Sequence, residues 1–418
     1  MWRRLLPIAF LPLAFWACRD STLRTWVAHS AIPLRTTDPV QTIDDLEPLH
    51  GVIQGANVVG LGEATHGTRE FFQMKHRLVR FLVEREGFSL FAIEASLPEA
   101  EAVNRYVVAG EGDAQTALAG LHFWTWDTYE VLALIEWIRS WNTDPAHQQV
   151  KFYGFDCQHS AAAAAGVMRY LAHVDAKAAA HFQPPLESAR RGDAAPSGLT
   201  ALDSSDVMTN IQEMLNEFDR NKAAWSAVSG AEEWERNRRF GEVLRQSWDI
   251  RNGGLRNRDR YMAENILWIG RREPERKMVV WAHNGHVERT AGHMGGYLSL
   301  RLGDGYRSVG FVFGKGQFRA KPAPGSPEVR TITVSDEGAG ELDQALLAVS
   351  MPLVALDFKS AIAPIHGPIS MREFGALAVN PRQRVQRDVA RAFDFLIFVR
   401  DTTAARPTPT GVRPRRGL

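Results

Sequence analysis

Short runs of β-branched and aromatic residues recur along this 418-residue chain, at 57–61, 88–93, 150–155, 278–282, 307–313, 352–358 and 394–399, and each is cut off by a polar or glycine-rich turn. Runs of this length and composition read as buried strands. Between the early ones lie helical patterns, 70–86 and 127–141, whose apolar residues return every three or four positions. Strand and helix in alternation constrain the chain to an α/β fold, a mainly parallel central sheet flanked by helices, over residues 45–400. Residues 160–273 break the rhythm with an alanine-rich stretch, a Pro/Gly/Ser-containing break at 183–205, and long amphipathic stretches over 207–250 and 257–272. They read as a large helical insertion, placed to line or cap a site that the sheet presents. The Pro/Arg-rich tail, 402–418, lacks apolar periodicity and is expected to be disordered.

Charge narrows the partners. Lys+Arg number 49 against Asp+Glu 48, so no bulk field draws the chain to nucleic acid, and the expected ligand is a small molecule. Residues 1–18 form a separate unit: "MWRR" supplies positive charge and "LLPIAFLPLAFWA" an apolar run that closes on Cys18. That is the pattern of an export signal, and the run falls short of the ~20 residues a membrane-spanning helix needs. Ala17 before Cys18 resembles a bacterial lipobox, although Phe15 and Trp16 are bulkier than that pattern prefers. Two outcomes stay open: a lipid anchor at Cys18, or cleavage and release. Either gives an exported, periplasmic or cell-envelope protein. With Cys18 lipidated, Cys157 is the one thiol left, and the fold rests on its core rather than on a disulfide.

Chemistry gathers at the strand ends. Glu63 and His66 follow the first run, Glu94 ends the second, Asp156 ends the third, and "HNGH", His283 to His286, follows the fourth. Singly, each reads as a helix cap or a satisfied polar residue. Ligands of open parallel sheets, however, bind outside the carboxyl ends of the strands, so these side chains are expected to share one crevice.

"GEATHGTREFF", "FAIEA", "FWTWDTYEVLALIEWIRSWN", "KFYGFDCQ", "RNRDRYMAENILWI" and "WAHNGHV" occur in the order of the motifs of the erythromycin esterase family. The chain resembles that family over about residues 45–400. The resemblance implies a metal-independent hydrolase that opens a macrolide lactone with water, without a cofactor, and so a role in antibiotic resistance. Motif by motif, His66 is similar to the general base, with Glu63 beside it. Glu94, His283, His286 and Arg258 complete the catalytic set, and Asp156, Asn284 and Asp259 are expected to contact substrate. Cys157 departs from the apolar residue that relatives often carry.

The chemistry of the side chains agrees. Taking a proton from water near neutral pH suits an imidazole, and a carboxylate beside it fixes the tautomer and stabilises the imidazolium. The oxyanion that forms needs donors, which His283, His286 or Arg258 supply. Competing readings remain. The chain contains no G-x-S-x-G serine elbow. Cys157, with His159 nearby, offers a thiol nucleophile, although a free cysteine is commonly a small core residue. Glu63, His66, Glu94, His283 and His286 supply enough donors for zinc or iron in a metal-dependent hydrolase. A non-catalytic envelope binding module would keep the fold with the site idle. "FWTWD" reads as core packing rather than a ligand wall.

Overall fold

The computed structural model describes residues 11–192, 204–359 and 367–409. Among the described residues eleven strands form: β1 (Ile32–Pro33), β2 (Val58–Leu61), β3 (Phe88–Ser96), β4 (Lys151–Asp156), β5 (Lys277–Trp281), β6 (Tyr306–Ala320), β7 (Arg330–Val334), β8 (Leu353–Asp357), β9 (Ile369–Arg372), β10 (Arg384–Arg387) and β11 (Phe395–Thr402). Nine make one sheet in the order β1-β8-β11-β6-β2-β5-β3-β4, with β7 pairing on β6, while β9 and β10 form a separate antiparallel pair. From β11 to β4 every neighbouring pair is parallel; β1, β7 and β8 run antiparallel.

Alternation along the strands decides the layers, since successive side chains point to opposite faces. Leu90 and Ala92 of β3, with Met278 and Val280 of β5, enter one core; Phe91, Ile93, Val279 and Trp281 enter the other. The second core is closed by helix Arg69–Glu84, which buries Phe71, Phe72, Leu78 and Leu82, and by helix Tyr129–Asn142. The first is closed by the helices between β4 and β5, through Tyr170, Ile211, Phe218 and Phe240.

Several expectations need correction. Helix Ala176–Gly192 continues through Pro184 and Pro185, so the expected break at 183 is absent as far as Gly192; residues 193–203 lie outside the described residues. The tail is ordered through residue 409: Ala404 bridges to Thr68, Pro407 bridges to Thr128, and Ala405 is buried. Its order comes from polar pairing at two helix starts, where Thr403 bonds Glu70 and Arg406 bonds Glu130. Apolar periodicity carries no trace of such bonds. Residues 410–418, like residues 1–10 of the expected export signal, lie outside the described residues. Helix Leu11–Ser30 runs through Cys18 and buries Leu23 and Val27 in the core. Among the described residues no helix is long and apolar enough to cross a membrane.

Candidate active site

β2, β5, β3 and β4 are consecutive in the sheet and parallel, so their carboxyl ends open on one side. His66, Glu94, Arg258, His283 and His286 line a single cavity of about 590 Å³ there.

The turn after β2 carries Glu63 and His66. Gly67 lets the turn pass against β6, because a Cβ at this position would overlap the backbone of Arg319. Glu63 is fully buried, and its Oε1 lies 2.6 Å from His66 Nδ1. The other oxygen, Oε2, accepts a 2.6 Å bond from Lys75 Nζ, which also donates to the Ala282 carbonyl at 3.1 Å and stands 4.5 Å from the centre of the Trp281 ring. Burial pushes the Lys75 ammonium down to about 8, against the pull of Glu63. Because the carboxylate accepts from Nδ1–H, the assigned tautomer leaves His66 Nε2 as an acceptor. Lys75 offsets the charge of Glu63, so the base rests on a neutral pair.

His283 and His286 follow β5. The Gly285 amide donates to His283 Nδ1 at 3.1 Å, which puts the proton on Nε2; that atom is buried without a protein partner. Burial holds His283 neutral and pushes it down to about 4, with Glu373 opposing and the charged His286 adding to the effect of burial. Its ring centre lies 5.1 Å from that of His66.

His286 is held on both sides. Its Nδ1 lies 2.9 Å from Asp259 Oδ1, and its Nε2 lies 3.3 Å from Glu94 Oε1 and 3.1 Å from Arg258 Nη1. Burial opposes charge on this ring and Arg258 repels it, but Glu94 and Asp259 outweigh both, and His286 is raised to about 10. Glu94 is ionised: burial raises it, yet His286 and Arg258 carry it well below the carboxylate range. Its Oε1 accepts from Arg258 Nη2 at 2.7 Å and its Oε2 from the His283 amide at 3.0 Å. Asp156, at the end of β4, grips Arg258 with two bonds, Nε at 3.1 Å and Nη2 at 2.8 Å.

Three residues expected to contact substrate stand behind the cavity wall instead. Asn284 is fully buried and ties the site to β6, donating to the Phe311 carbonyl and accepting from the Phe311 amide. Asp156 is likewise fully buried on Arg258, and Asp259 orients His286 while accepting from the Met294 amide at 2.8 Å. The helical insertion lines the cavity through Arg258 but does not cap it: among the described residues, the rest of the wall beyond the strand ends comes from 122–126, 158–159, 321–324 and 374–383. Phe123 and Trp124 therefore line the cavity, Phe123 while also packing against the second core, with Trp126 at its floor donating to the Glu94 carbonyl. His122 enters the wall with a φ of 63°, a left-handed conformation rare for a non-glycine residue.

Neither donor-rich competitor gains from the geometry. Cys157 is buried, and burial and Asp156 push its thiol well up, away from a thiolate. The lone pairs that a metal would need on Glu63, Glu94 and His286 are engaged by Lys75, His66, Arg258, Asp259 and the His283 amide. Among the described residues no three His, Cys, Asp or Glu side chains are grouped to hold a metal ion.

Lys75 and Glu373 are the site residues that the sequence reading missed. Lys75 left a signal, since it falls on the apolar stripe of its helix between Phe71 and Leu78. Glu373 left none; it follows β9, whose composition is not that of a strand, and pairs with Arg387 while facing His283 Nδ1 at 4.0 Å.

The profile of the erythromycin esterase family matches residues 83–402. Erythromycin esterase type II of Escherichia coli is 25% identical over 321 residues, which covers 69% of this chain and 76% of that protein. Erythromycin esterase type I of Escherichia coli is 24% identical over 317 residues, 66% of this chain and 75% of that protein. Among solved structures, a Bacillus cereus protein superposes with a TM-score of 0.76 at 25% identity, covering 93% of this chain and 99% of its own. A mutant of the erythromycin esterase EreC in its open conformation superposes with a TM-score of 0.71 at 18% identity, covering 91% and 99%.

Proposed function

The chain belongs to the erythromycin esterase family, a family of hydrolases, and from that premise we propose that it cleaves a carboxylic ester or lactone with water activated by His66. The observation that carries the reading is the pair of imidazoles facing one cavity in complementary states: His66 Nε2 as acceptor, fixed by Glu63, and His283 Nε2–H as donor without a protein partner. A water on His66 Nε2 gives up its proton as it attacks the carbonyl carbon, and the carbonyl oxygen, becoming negative, takes the His283 Nε2–H bond. Glu63 stabilises the imidazolium so formed, and Lys75 holds Glu63 in place. On collapse of the tetrahedral intermediate, His66 returns the proton to the leaving alkoxide. Arg258 and His286 lend positive charge to the same wall.

Erythromycin is the first substrate to test, because three of the similar proteins carry its name. Incubation with the purified protein, followed by mass spectrometry, is expected to give a product heavier by one water; an unchanged macrolide together with unchanged simple esters overturns the reading. Separately, from the charge and apolar run of residues 1–18, we propose export to the periplasm or cell envelope with a lipid anchor at Cys18; fractionation of a Cys18→Ser variant checks the anchor, and release from the membrane is expected.

A further inference from the structure

A second cavity, of about 990 Å³, lies away from the catalytic one, between helices Ala231–Asp249, Arg258–Arg272 and Met294–Leu302. Five arginines and two glutamates face it. The glutamates are already engaged: Glu242 pairs with Arg245 at 3.0 Å and with Arg238 at 3.1 Å, and Glu264 faces Arg260 at 3.5 Å. Arg239, Arg271 and Arg301, one from each helix, have no carboxylate partner among the described residues.

Arg239 is the most telling of the three. Its guanidinium bonds Asn265 and covers Trp268 at 5.7 Å, yet its Nε is buried with no acceptor. Burial pushes Arg239 down to about 10; Glu242 and Glu264 oppose, and Arg271 repels it further. It therefore stays charged at neutral pH, beside another cation, with a donor unmet. Leaving a buried donor unmet is unfavourable, and so is crowding cations together. An anion in the cavity relieves the crowding of cations, and the planar fork of arginine matches the oxygens of phosphate. One rim is apolar: Leu267 and Tyr297 line the same cavity, and Leu300 stands 81% exposed.

We propose that this cavity binds a phosphate group attached to a hydrocarbon part, held by Arg239, Arg271 and Arg301 with Leu300 against the apolar portion. The ligand class is a phosphate ester, either an anionic phospholipid headgroup or a soluble phosphomonoester. Nothing in this assignment depends on the ester-cleaving reading, because none of these residues faces the catalytic cavity.

The full chain and its Arg271→Gln/Arg301→Gln variant form the test. Both arginines are exposed, so the variant is expected to keep the wild-type circular dichroism. Calorimetry with glycerol 3-phosphate, and co-sedimentation with phosphatidylglycerol against phosphatidylcholine vesicles at matched ionic strength, read the binding. The N-terminal apolar run contributes equally to both proteins. The wild type is expected to bind at least one phosphate probe, and the variant at least about 10-fold more weakly. Binding to the vesicles alone supports a lipid source, and binding to glycerol 3-phosphate supports a soluble one. Failure of the wild type on both probes, or equal binding by the variant, overturns the proposal.

Discussion

His66 and His286 each lie within reach of a buried carboxylate at the end of adjacent parallel strands, β2 and β5, but their surroundings differ. Glu63 is charge-balanced by one lysine and takes only Nδ1 of His66, so Nε2 stays open to the cavity. His286 has Asp259 on one nitrogen and Glu94 with Arg258 on the other. The first arrangement keeps a proton acceptor available; the second fixes positive charge in a wall. The two rings thus differ in the number of partners each keeps, and on the proposed reading that number, not the type of residue beside the ring, separates a base from an electrostatic prop.

Three measurements break or sharpen this contrast. The largest effect is expected on the His66 side and confined to turnover: His66→Ala lowers kcat by about 10²–10⁴ with circular dichroism unchanged, and near wild-type kcat in a folded variant moves the base elsewhere. On the other side the effect is on stability. Asp156→Ala strips Arg258 of a two-bond partner in a fully buried setting, and breaking such a pair costs about 3–5 kcal/mol. Urea unfolding reads this loss, and a variant as stable as wild type removes the idea that the cluster is a structural prop.

The smallest effect is a slope. His286 is raised from its ordinary 6.5 to about 10 in the fold, so the folded state holds the extra proton more tightly. Its contribution to stability is complete below the unfolded value, shrinks between 6.5 and 10, and is gone above that. Lys75, lowered to about 8 from 10.5, acts in the opposite sense: its penalty is relieved as pH rises through that window. Comparing wild type with His286→Gln cancels the lysine, and the difference in urea midpoint is expected to narrow steadily from pH 6.5 to 10. A constant difference across that range shows that His286 is neutral in the fold.

Much of the fold was legible because strands buried on both faces are unbroken apolar runs, and the seven such runs all became strands. β1, β7, β9 and β10 escaped because they are short or polar: "RVQR" in β10 carries no burial pattern. Convergence of His66, Glu94, His283 and His286 followed from strand polarity; Arg258, which opens a helix, was reached only through the family motif. Which of the neighbouring polar residues reach the cavity did not follow. Asn284 sits within "HNGH" yet turns to β6, a choice made by the Phe311 backbone, which lies far off in sequence. Phe123 and Trp124 have the composition of core, and only the left-handed turn at His122 brings them to the cavity.

The segment 402–409, which clasps the starts of helices Arg69–Glu84 and Tyr129–Asn142, has a consequence in time. Thr403 holds Glu70 across 333 residues of sequence, and the amide of Arg69 donates to the Thr403 carbonyl, immediately beyond the turn that carries Glu63 and His66. While the chain is emerging from a ribosome, that clasp does not yet exist. The turn that carries Glu63 and His66 is among the first parts of the domain to be made and among the last to be locked, so on the proposed reading hydrolysis waits for the whole domain to arrive.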